Sequence, residues 1–187
     1  MKKLFLLIAV VSTITVSAQT TTAPEGFTNG YFINNSNEKS TGFIKESFRK
    51  GTIVFITADG VKKTYAPADI TAFSIGNDFY IAYMSDFYKV VATGTRGTLQ
   101  QKVTNNSGKL MYNGSEAYAV STTEGKPGDY YLRTKATDKV TLVTKQNFEK
   151  VFTANCADCS VLLTSIQGKQ LDYASIEKAV EQYNACN

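Results

Sequence analysis

The 187-residue chain contains no histidine and no tryptophan, and it has only three cysteines. Without His, the chain cannot form Ser-His or Cys-His nucleophile pairs, nor the imidazole ligands of most catalytic zinc sites. Three Cys also fall short of the four nitrogen or sulfur ligands of a tetrahedral structural zinc site. We therefore expect no metal and no other cofactor. An enzyme built from this chain would depend on carboxylates, Lys, Tyr or thiols.

Long apolar runs are also missing, because none approaches the ~20 residues that a membrane-spanning helix requires. The N-terminus instead has the three parts of a secretory signal: Lys2 and Lys3, apolar residues 4–11, and small residues at Val16-Ser17-Ala18. No Cys stands at the cleavage point, as a bacterial lipid anchor would require. This pattern predicts a signal peptide at residues 1–18 and a mature chain without a transmembrane segment.

A strong excess of charge is the third feature that the chain lacks. Removal of Lys2 and Lys3 reduces the 20 Lys and Arg to 18, against 16 Asp and Glu. Because nucleic-acid binding depends on a concentrated positive charge, this balance argues against a nucleic-acid partner. We expect an exported protein that is periplasmic, envelope-associated or secreted.

Strand-like runs separated by turn signals fill residues 19–143. The runs at residues 52–57 and 61–65 flank Asp59-Gly60, which predicts a hairpin with a type I′ turn because Gly accepts a positive φ. Residues 130–134 and 139–143 predict another hairpin. Together these runs indicate an antiparallel sheet.

A further strand pair is predicted at residues 78–84 and 86–92, joined across Ser85-Asp86. Both faces of this pair would be partly apolar, which is typical of strands inside a larger curved sheet or sandwich. The segment 93–98, which follows, contains Gly and Thr but lacks the spacing of a phosphate-binding loop. We predict a turn there.

The apolar spacing changes to a helical period after Thr144. Asp158 is a candidate N-cap and Gly168 a stop signal for the second of three short helices. The sequence thus predicts an α+β fold with two parts: an antiparallel β-rich body over residues 19–143, built as a curved sheet, sandwich or partly open barrel, and a C-terminal helical cap over residues 144–187, packed on or beside it. The three apolar stripes are Phe148, Val151 and Phe152; Cys159, Leu162, Leu163 and Ile166; and Ile176, Ala179, Val180 and Tyr183.

Cys156 and Cys159 form a Cys-x-x-Cys pair, which suggests a thiol-disulfide active site. The setting argues against this, because the pair follows a predicted helix rather than a strand. Asp158 would also raise a neighbouring thiol pKa by like-charge repulsion. A structural disulfide is the favoured alternative, since Cys159 and Cys186 lie on the inner stripes of two antiparallel helices. Closing that loop would stabilise the chain by roughly 3 kcal/mol.

Other pairings remain open at this point, with Cys156–Cys186 as the chief rival. Cys156 would otherwise be a free thiol.

The 11 Tyr and 11 Phe residues suggest a surface for a protein, peptide or glycan ligand, because Tyr combines an apolar ring with a polar tip. Tyr80, Tyr83 and Tyr88 are the candidates for such a surface. The alternative is that these residues are core residues of strands, which the lack of a Trp platform favours. The carboxylates are scattered singly, and their spacing indicates no glycosidase pair.

Three groups of residues resemble small exported proteins of Bacteroidota over most of the mature length. The first is Gly30-Tyr31 and the second is Tyr65-x-Pro67-x-Asp69-Ile70, with Phe73 after it. The third is Asp158-Cys159 with Tyr183-Asn184-x-Cys186, and the signal ends in Ser-Ala-Gln as is usual in that group. The resemblance implies one Cys beside Asp158 and one at the C-terminus, but no activity, substrate or catalytic residue.

Our leading hypothesis is an exported, non-enzymatic module that acts through binding or as a structural part of the cell envelope. A thiol-disulfide oxidoreductase that uses Cys156 and Cys159 is the alternative. A third class, a hydrolase with dispersed carboxylates, would need a cleft that groups two or more acids.

Overall fold

A computed structural model describes residues 22–112, 114–135, 137 and 139–186. The predicted signal peptide at residues 1–18 lies outside these residues. Twelve strands and three α-helices are formed within them, and two 3-10 turns occur at Phe48–Lys50 and Tyr173–Ser175. The strands are β1 (Thr28–Asn34), β2 (Lys39–Ser47), β3 (Thr52–Ile56), β4 (Lys62–Tyr65), β5 (Ile70–Ile75), β6 (Asp78–Tyr83), β7 (Asp86–Thr93), β8 (Gly97–Lys102), β9 (Leu110–Tyr112), β10 (Ala117–Ala119), β11 (Tyr130–Thr134) and β12 (Val140–Val143), and the helices are α1 (Phe148–Asn155), α2 (Ser160–Gln167) and α3 (Ile176–Asn184).

Ten strands form one sheet in the order β12-β11-β8-β7-β6-β5-β1-β2-β3-β4, while β9 and β10 form a separate ribbon. Every pair of neighbours is antiparallel. The sheet is not closed, since β12 and β4 stand at its two ends. The predicted α+β fold, a β-rich body followed by a helical cap, is confirmed, and the body is a single large sheet.

The predicted hairpin around Asp59-Gly60 joins β3 to β4, but its turn is not of type I′. Within this turn only Gly60 has a positive φ, of 86°, whereas a type I′ turn needs two such residues. The turn between β6 and β7 also differs from the prediction. It lies at Met84-Ser85, with φ values of 42° and 65°, because Tyr83 pairs with Asp86.

One face of the sheet, here called the inner face, carries both hydrophobic cores. Side chains alternate between the two faces along each strand, so cross-strand partners share a face. The inner face therefore includes the pairs Phe32↔Phe73, Phe73↔Tyr80 and Leu99↔Leu132. At the β1–β6 end, the curved sheet packs largely against itself. The buried residues there are Phe32, Ile44, Ile53, Phe55, Ile70, Phe73, Tyr80 and Phe87.

The helices cover the other end of the inner face, around β7, β8, β11 and β12. Leu99, Leu132 and Val143 of the sheet are buried against the apolar stripes of α1, α2 and α3. These stripes match the predicted helical periods, and Gly168 ends α2 as predicted. The period-3.6 pattern therefore selects the helix faces that contact the sheet.

Asn184, at the end of α3, attaches the helical cap to the turn between β7 and β8. Its Oδ1 accepts hydrogen bonds from the backbone N–H groups of Arg96 (3.0 Å) and Gly97 (2.8 Å), and its Nδ2 donates to the Gly97 carbonyl (3.0 Å). A Cβ at Gly94 would collide with the Asn184 side chain, so the turn requires glycine there. The Asn184 amide thus donates to and accepts from the backbone of the turn, as a peptide group of a neighbouring strand would.

We expect Asn184→Ala to lower the free energy of unfolding by about 2 kcal/mol, because it leaves backbone groups of a half-buried turn without partners. Asn184→Asp keeps the acceptor for the two N–H groups but places an acceptor-only carboxylate oxygen against the Gly97 carbonyl, so it should also be less stable than wild type. Urea unfolding of both variants measures the difference. Equal stability of wild type and Asn184→Ala would contradict this role.

Candidate functional site

The three cysteines are divided as one disulfide and one free thiol. Cys159 and Cys186 are bonded, with Cα atoms 5.9 Å apart, and Cys156 is free and buried. The predicted Cys159–Cys186 pairing is therefore confirmed, and the rival Cys156–Cys186 pairing is wrong. The bond links the start of α2 to the end of the chain, as expected for adjacent antiparallel helices.

The free thiol of Cys156 lies in an environment that opposes ionisation. Burial raises its pKa to about 12, and the Asp158 carboxylate adds to this rise while the Arg96 guanidinium opposes it. A thiol with such a pKa holds its proton at neutral pH, whereas attack on a disulfide requires the thiolate. The Cys-x-x-Cys spacing therefore does not produce an activated cysteine here.

Asp158 does not cap α2, contrary to the prediction, because the N-cap residue is Cys159. Its carboxylate instead pairs with Arg96 Nη2. Arg96 Nη1 also donates to the Cys186 carbonyl (3.2 Å), and the guanidinium stands 5.1 Å from the centre of the Tyr183 ring. Arg96 thus contacts both helices that the disulfide joins.

Arg96 was missed in the sequence because it lies in a turn about 60 residues before its acidic partner. The signal that could have found it is Asp158 together with Tyr183-Asn184-x-Cys186. All four of these residues contact either Arg96 or its turn. These contacts hold the helical cap against the turn between β7 and β8.

The three candidate tyrosines do not form one exposed surface. Tyr80 lies on the inner face, 5% exposed, and stacks on Phe73 with ring centres 4.6 Å apart. Tyr88 lies on the opposite face and has no exposed area, although the centres of its ring and the Tyr83 ring are 6.3 Å apart. Only Tyr83, at 37% exposure, reaches the surface. Tyr80 and Tyr88 are therefore core residues of strands, as the alternative explanation of the aromatic content predicts.

The face opposite the cores, here called the outer face, contains an ion pair with no solvent exposure. Asp86 Oδ2 lies 3.0 Å from Lys102 Nζ, and both side chains are fully buried. Lys102 also donates to the Thr123 carbonyl (2.9 Å) and the Gly125 carbonyl (3.4 Å). Asp86 Oδ1 accepts from the Thr104 hydroxyl (3.0 Å).

Thr104, Thr123 and Gly125 therefore lie over the outer face at the Lys102 end of β8. Tyr88 and Tyr131 extend the cluster, because the Tyr88 hydroxyl meets the Thr123 hydroxyl at 2.5 Å and the Tyr131 hydroxyl donates to the Glu124 carbonyl. Burial raises the pKa of both tyrosines, so they remain neutral donors. Most of these buried polar groups have hydrogen-bond partners within the cluster, whereas Asp86 Oδ2 has none among the described residues and is paired only by charge with Lys102 Nζ.

At the other end of β8 the outer face is open and forms a groove of about 420 Å³. Its floor is apolar and consists of the half-buried side chains of Phe79, Ile81 and Val90. Gln100 lies in its wall, 3% exposed, and its Oε1 has no hydrogen-bond partner among the described residues. We refer to this depression as the outer groove.

Two cations complete the outer groove. Arg133 and Lys135 line it and are exposed, and the described residues that line it include no acidic side chain. A β-bulge in β7 between Val90 and Ala92 adjoins the floor, and such bulges bend a strand locally. Apolar and cationic side chains therefore line the outer groove together.

A metal centre finds no support in the part of the chain that the structure describes, where no three His, Cys, Asp or Glu residues group to hold an ion. The same residues include no helix that is both long and apolar enough to cross a membrane.

Comparison of the chain with protein-family models gives no match. Comparisons with curated proteins and with solved structures give none either.

We expect Cys186→Ala to lower the free energy of unfolding by about 3 kcal/mol, since it removes the loop constraint of the Cys159–Cys186 bond. Cys156→Ala keeps the bond and is the control for loss of a thiol. Chemical unfolding of the oxidised proteins measures both, and the amide exchange of α3 reports fraying. An unchanged unfolding curve for Cys186→Ala would exclude a stabilising role of the bond.

We expect Lys102→Met to lower the free energy of unfolding by about 3–5 kcal/mol, because it leaves the Asp86 carboxylate buried without a counter-charge. The matched control is Lys89→Met, which breaks the exposed pair between Lys89 and Asp78 (2.7 Å, side chains 35% and 47% exposed). Exposed pairs contribute less than about 1 kcal/mol. Equal losses in the two variants, measured by urea unfolding, would show that burial does not determine the strength of these pairs.

Proposed function

We propose that this protein is an exported, non-enzymatic binding module and that the outer groove is its ligand site. The observation that carries the proposal is the apolar floor of the outer groove, an open depression of about 420 Å³ in which Phe79, Ile81 and Val90 are only half-buried. A ligand that covers these side chains would remove their remaining apolar surface from water, which is favourable by about 25 cal/mol per Å².

The groove also has the composition of a recognition site. Small-ligand sites are concave and mostly apolar, with a few polar groups that fix orientation, and they range from about 300 to 1,000 Å³. Phe79, Ile81 and Val90 supply the apolar surface, while Thr93 and Thr98 supply polar groups. A groove without a carboxylate, His or activated thiol is suited to binding rather than to acid–base or nucleophilic catalysis.

Export is supported by two features that do not depend on each other. Residues 1–18 have the pattern of a cleaved secretory signal. The Cys159–Cys186 bond is of a kind that persists in oxidising compartments and is rare in the cytosol. We propose residence in the periplasm, at the envelope or outside the cell, in keeping with the resemblance to small exported Bacteroidota proteins.

The alternative, a thiol-disulfide oxidoreductase that uses Cys156 and Cys159, has less support. Such an enzyme cycles a bond between its two motif cysteines, whereas Cys159 is bonded to Cys186. The raised pKa of the buried Cys156 thiol also removes the thiolate that would begin exchange.

The proposal is tested by probing peptide and glycan arrays with labelled protein and with Thr98→Phe. Thr98 lines the outer groove, so the larger ring should fill it and weaken binding of the true ligands at least tenfold. The control is Gln101→Leu, the neighbour on β8 that faces the inner side and donates to the Gly128 carbonyl (3.1 Å). Ligands that bind wild type and Thr98→Phe equally, or arrays without any saturable ligand, would contradict a binding role of the groove.

A further inference from the structure

The buried pair of Asp86 and Lys102 brings a carboxyl group and an amine together away from water. Nζ of Lys102 lies 3.0 Å from Oδ2 of Asp86, and neither side chain has any solvent exposure. The two residues come from neighbouring strands, since Asp86 begins β7 and Lys102 ends β8. The fold therefore holds the two groups in contact without the loss of freedom that separate reactants undergo when they meet.

The two oxygens of the Asp86 carboxylate have different surroundings. Oδ1 accepts hydrogen bonds from the Asn106 backbone N–H (2.9 Å) and from the Thr104 hydroxyl (3.0 Å). Oδ2 contacts Lys102 but has no hydrogen-bond partner among the described residues. Donors at about 2.7–3.1 Å from one oxygen are the arrangement that stabilises an oxyanion when a nucleophile adds to the carbon. Oδ1 is therefore placed to carry negative charge, and Oδ2 is free to leave.

The hydrogens of the Lys102 ammonium have other acceptors than Oδ2. Nζ donates to the Thr123 carbonyl (2.9 Å), to the Thr123 hydroxyl (3.3 Å) and to the Gly125 carbonyl (3.4 Å). Its contact with Asp86 Oδ2, in contrast, does not have hydrogen-bond geometry. An amine that has given up one proton can keep its other two in bonds to Thr123 and Gly125. Its lone pair is then available to the neighbouring carboxyl group.

From this arrangement we propose that Lys102 Nζ and Asp86 Cγ become joined by an amide bond within the folded chain. One proton first moves from Nζ to Oδ2, which removes both charges, as a site without solvent favours. The Nζ lone pair then adds to Cγ, and the Asn106 N–H and the Thr104 hydroxyl stabilise the negative charge that forms on Oδ1. A second proton passes from Nζ to Oδ2, the Cγ–Oδ2 bond breaks, and one water molecule leaves. The step is a condensation and consumes no oxidant or reductant.

The amide also suits its surroundings better than the ion pair does. Its carbonyl oxygen is the former Oδ1 and keeps both donors, while its N–H keeps the Thr123 carbonyl as acceptor. A buried ion pair carries a large desolvation cost, which a neutral, hydrogen-bonded amide avoids. The bond would fasten β7 to β8 covalently, at the end of these strands opposite the turn that binds the helical cap.

Intact-mass spectrometry of the full mature protein tests the bond directly. We expect the oxidised wild type to be lighter than its sequence by one water molecule, beyond the two hydrogens lost to the disulfide. Trypsin should release a branched peptide in which residues 64–89 are joined to residues 97–109, because an acylated Lys102 is not cleaved. Lys102→Met should abolish the water loss. The matched control is Lys89→Met, which removes the lysine of the exposed pair with Asp78 and should keep it.

Two results of this experiment would overturn the proposal. The first is a folded wild type that keeps its full sequence mass after prolonged incubation at physiological temperature. The second is a water loss confined to one unbranched peptide, as a succinimide at an Asp residue would give.

Two variants at Thr104 test the role of Oδ1. Thr104→Val removes one of its two donors and should slow the appearance of the linked form about tenfold or more. Thr104→Ser keeps the hydroxyl and should link nearly as fast as wild type. The linked fraction is followed by intact mass after a short pulse of expression, with circular dichroism as the check on folding. If folded Thr104→Val links as fast as Thr104→Ser, Oδ1 is not the stabilised oxygen and the proposed route fails.

Discussion

The ion pair between Asp86 and Lys102 is the constraint on which the outer face depends. Two charges without solvent must have partners, and Thr104, Thr123 and Gly125 supply several of them. These residues are therefore held over one end of the outer face, where their carbonyl and hydroxyl groups bind Lys102 and Asp86. The other end of the same strands stays uncovered, and the outer groove lies there.

The inner face depends on a second set of contacts, at the turn between β7 and β8. Asn184 completes that turn, Arg96 pairs with Asp158 and binds the Cys186 carbonyl, and the disulfide joins the same two helices covalently. These contacts hold the helical cap against Leu99 and Leu132. The strands β7, β8 and β11 thus have helices on one face and, on the other, a polar cover followed by an open groove.

Much of the architecture could be predicted because it follows from local patterns. The period of the apolar residues predicts the helix stripes ending at Tyr183, and Asp59-Gly60 marks the β3–β4 hairpin. The helix stripes favoured the Cys159–Cys186 pairing, but Cys156–Cys186 stayed open until the fold placed Cys186 beside Cys159. Turn details were less predictable, because the one-residue difference between Met84-Ser85 and Ser85-Asp86 depends on the register of the whole strand pair.

By itself, the sequence determined the order of strands before helices and the absence of His chemistry, and it favoured one cysteine pairing over its rival. Tertiary structure alone decided which polar residues are buried and which line the outer groove. Lys102 and Lys89 both lie in strands, yet only Lys102 is buried with a carboxylate. Gln100 and Gln101 are adjacent, yet only Gln100 lines the outer groove. The reason is that a residue's neighbours across a sheet come from distant parts of the chain, and burial is a property of those neighbours rather than of the residue.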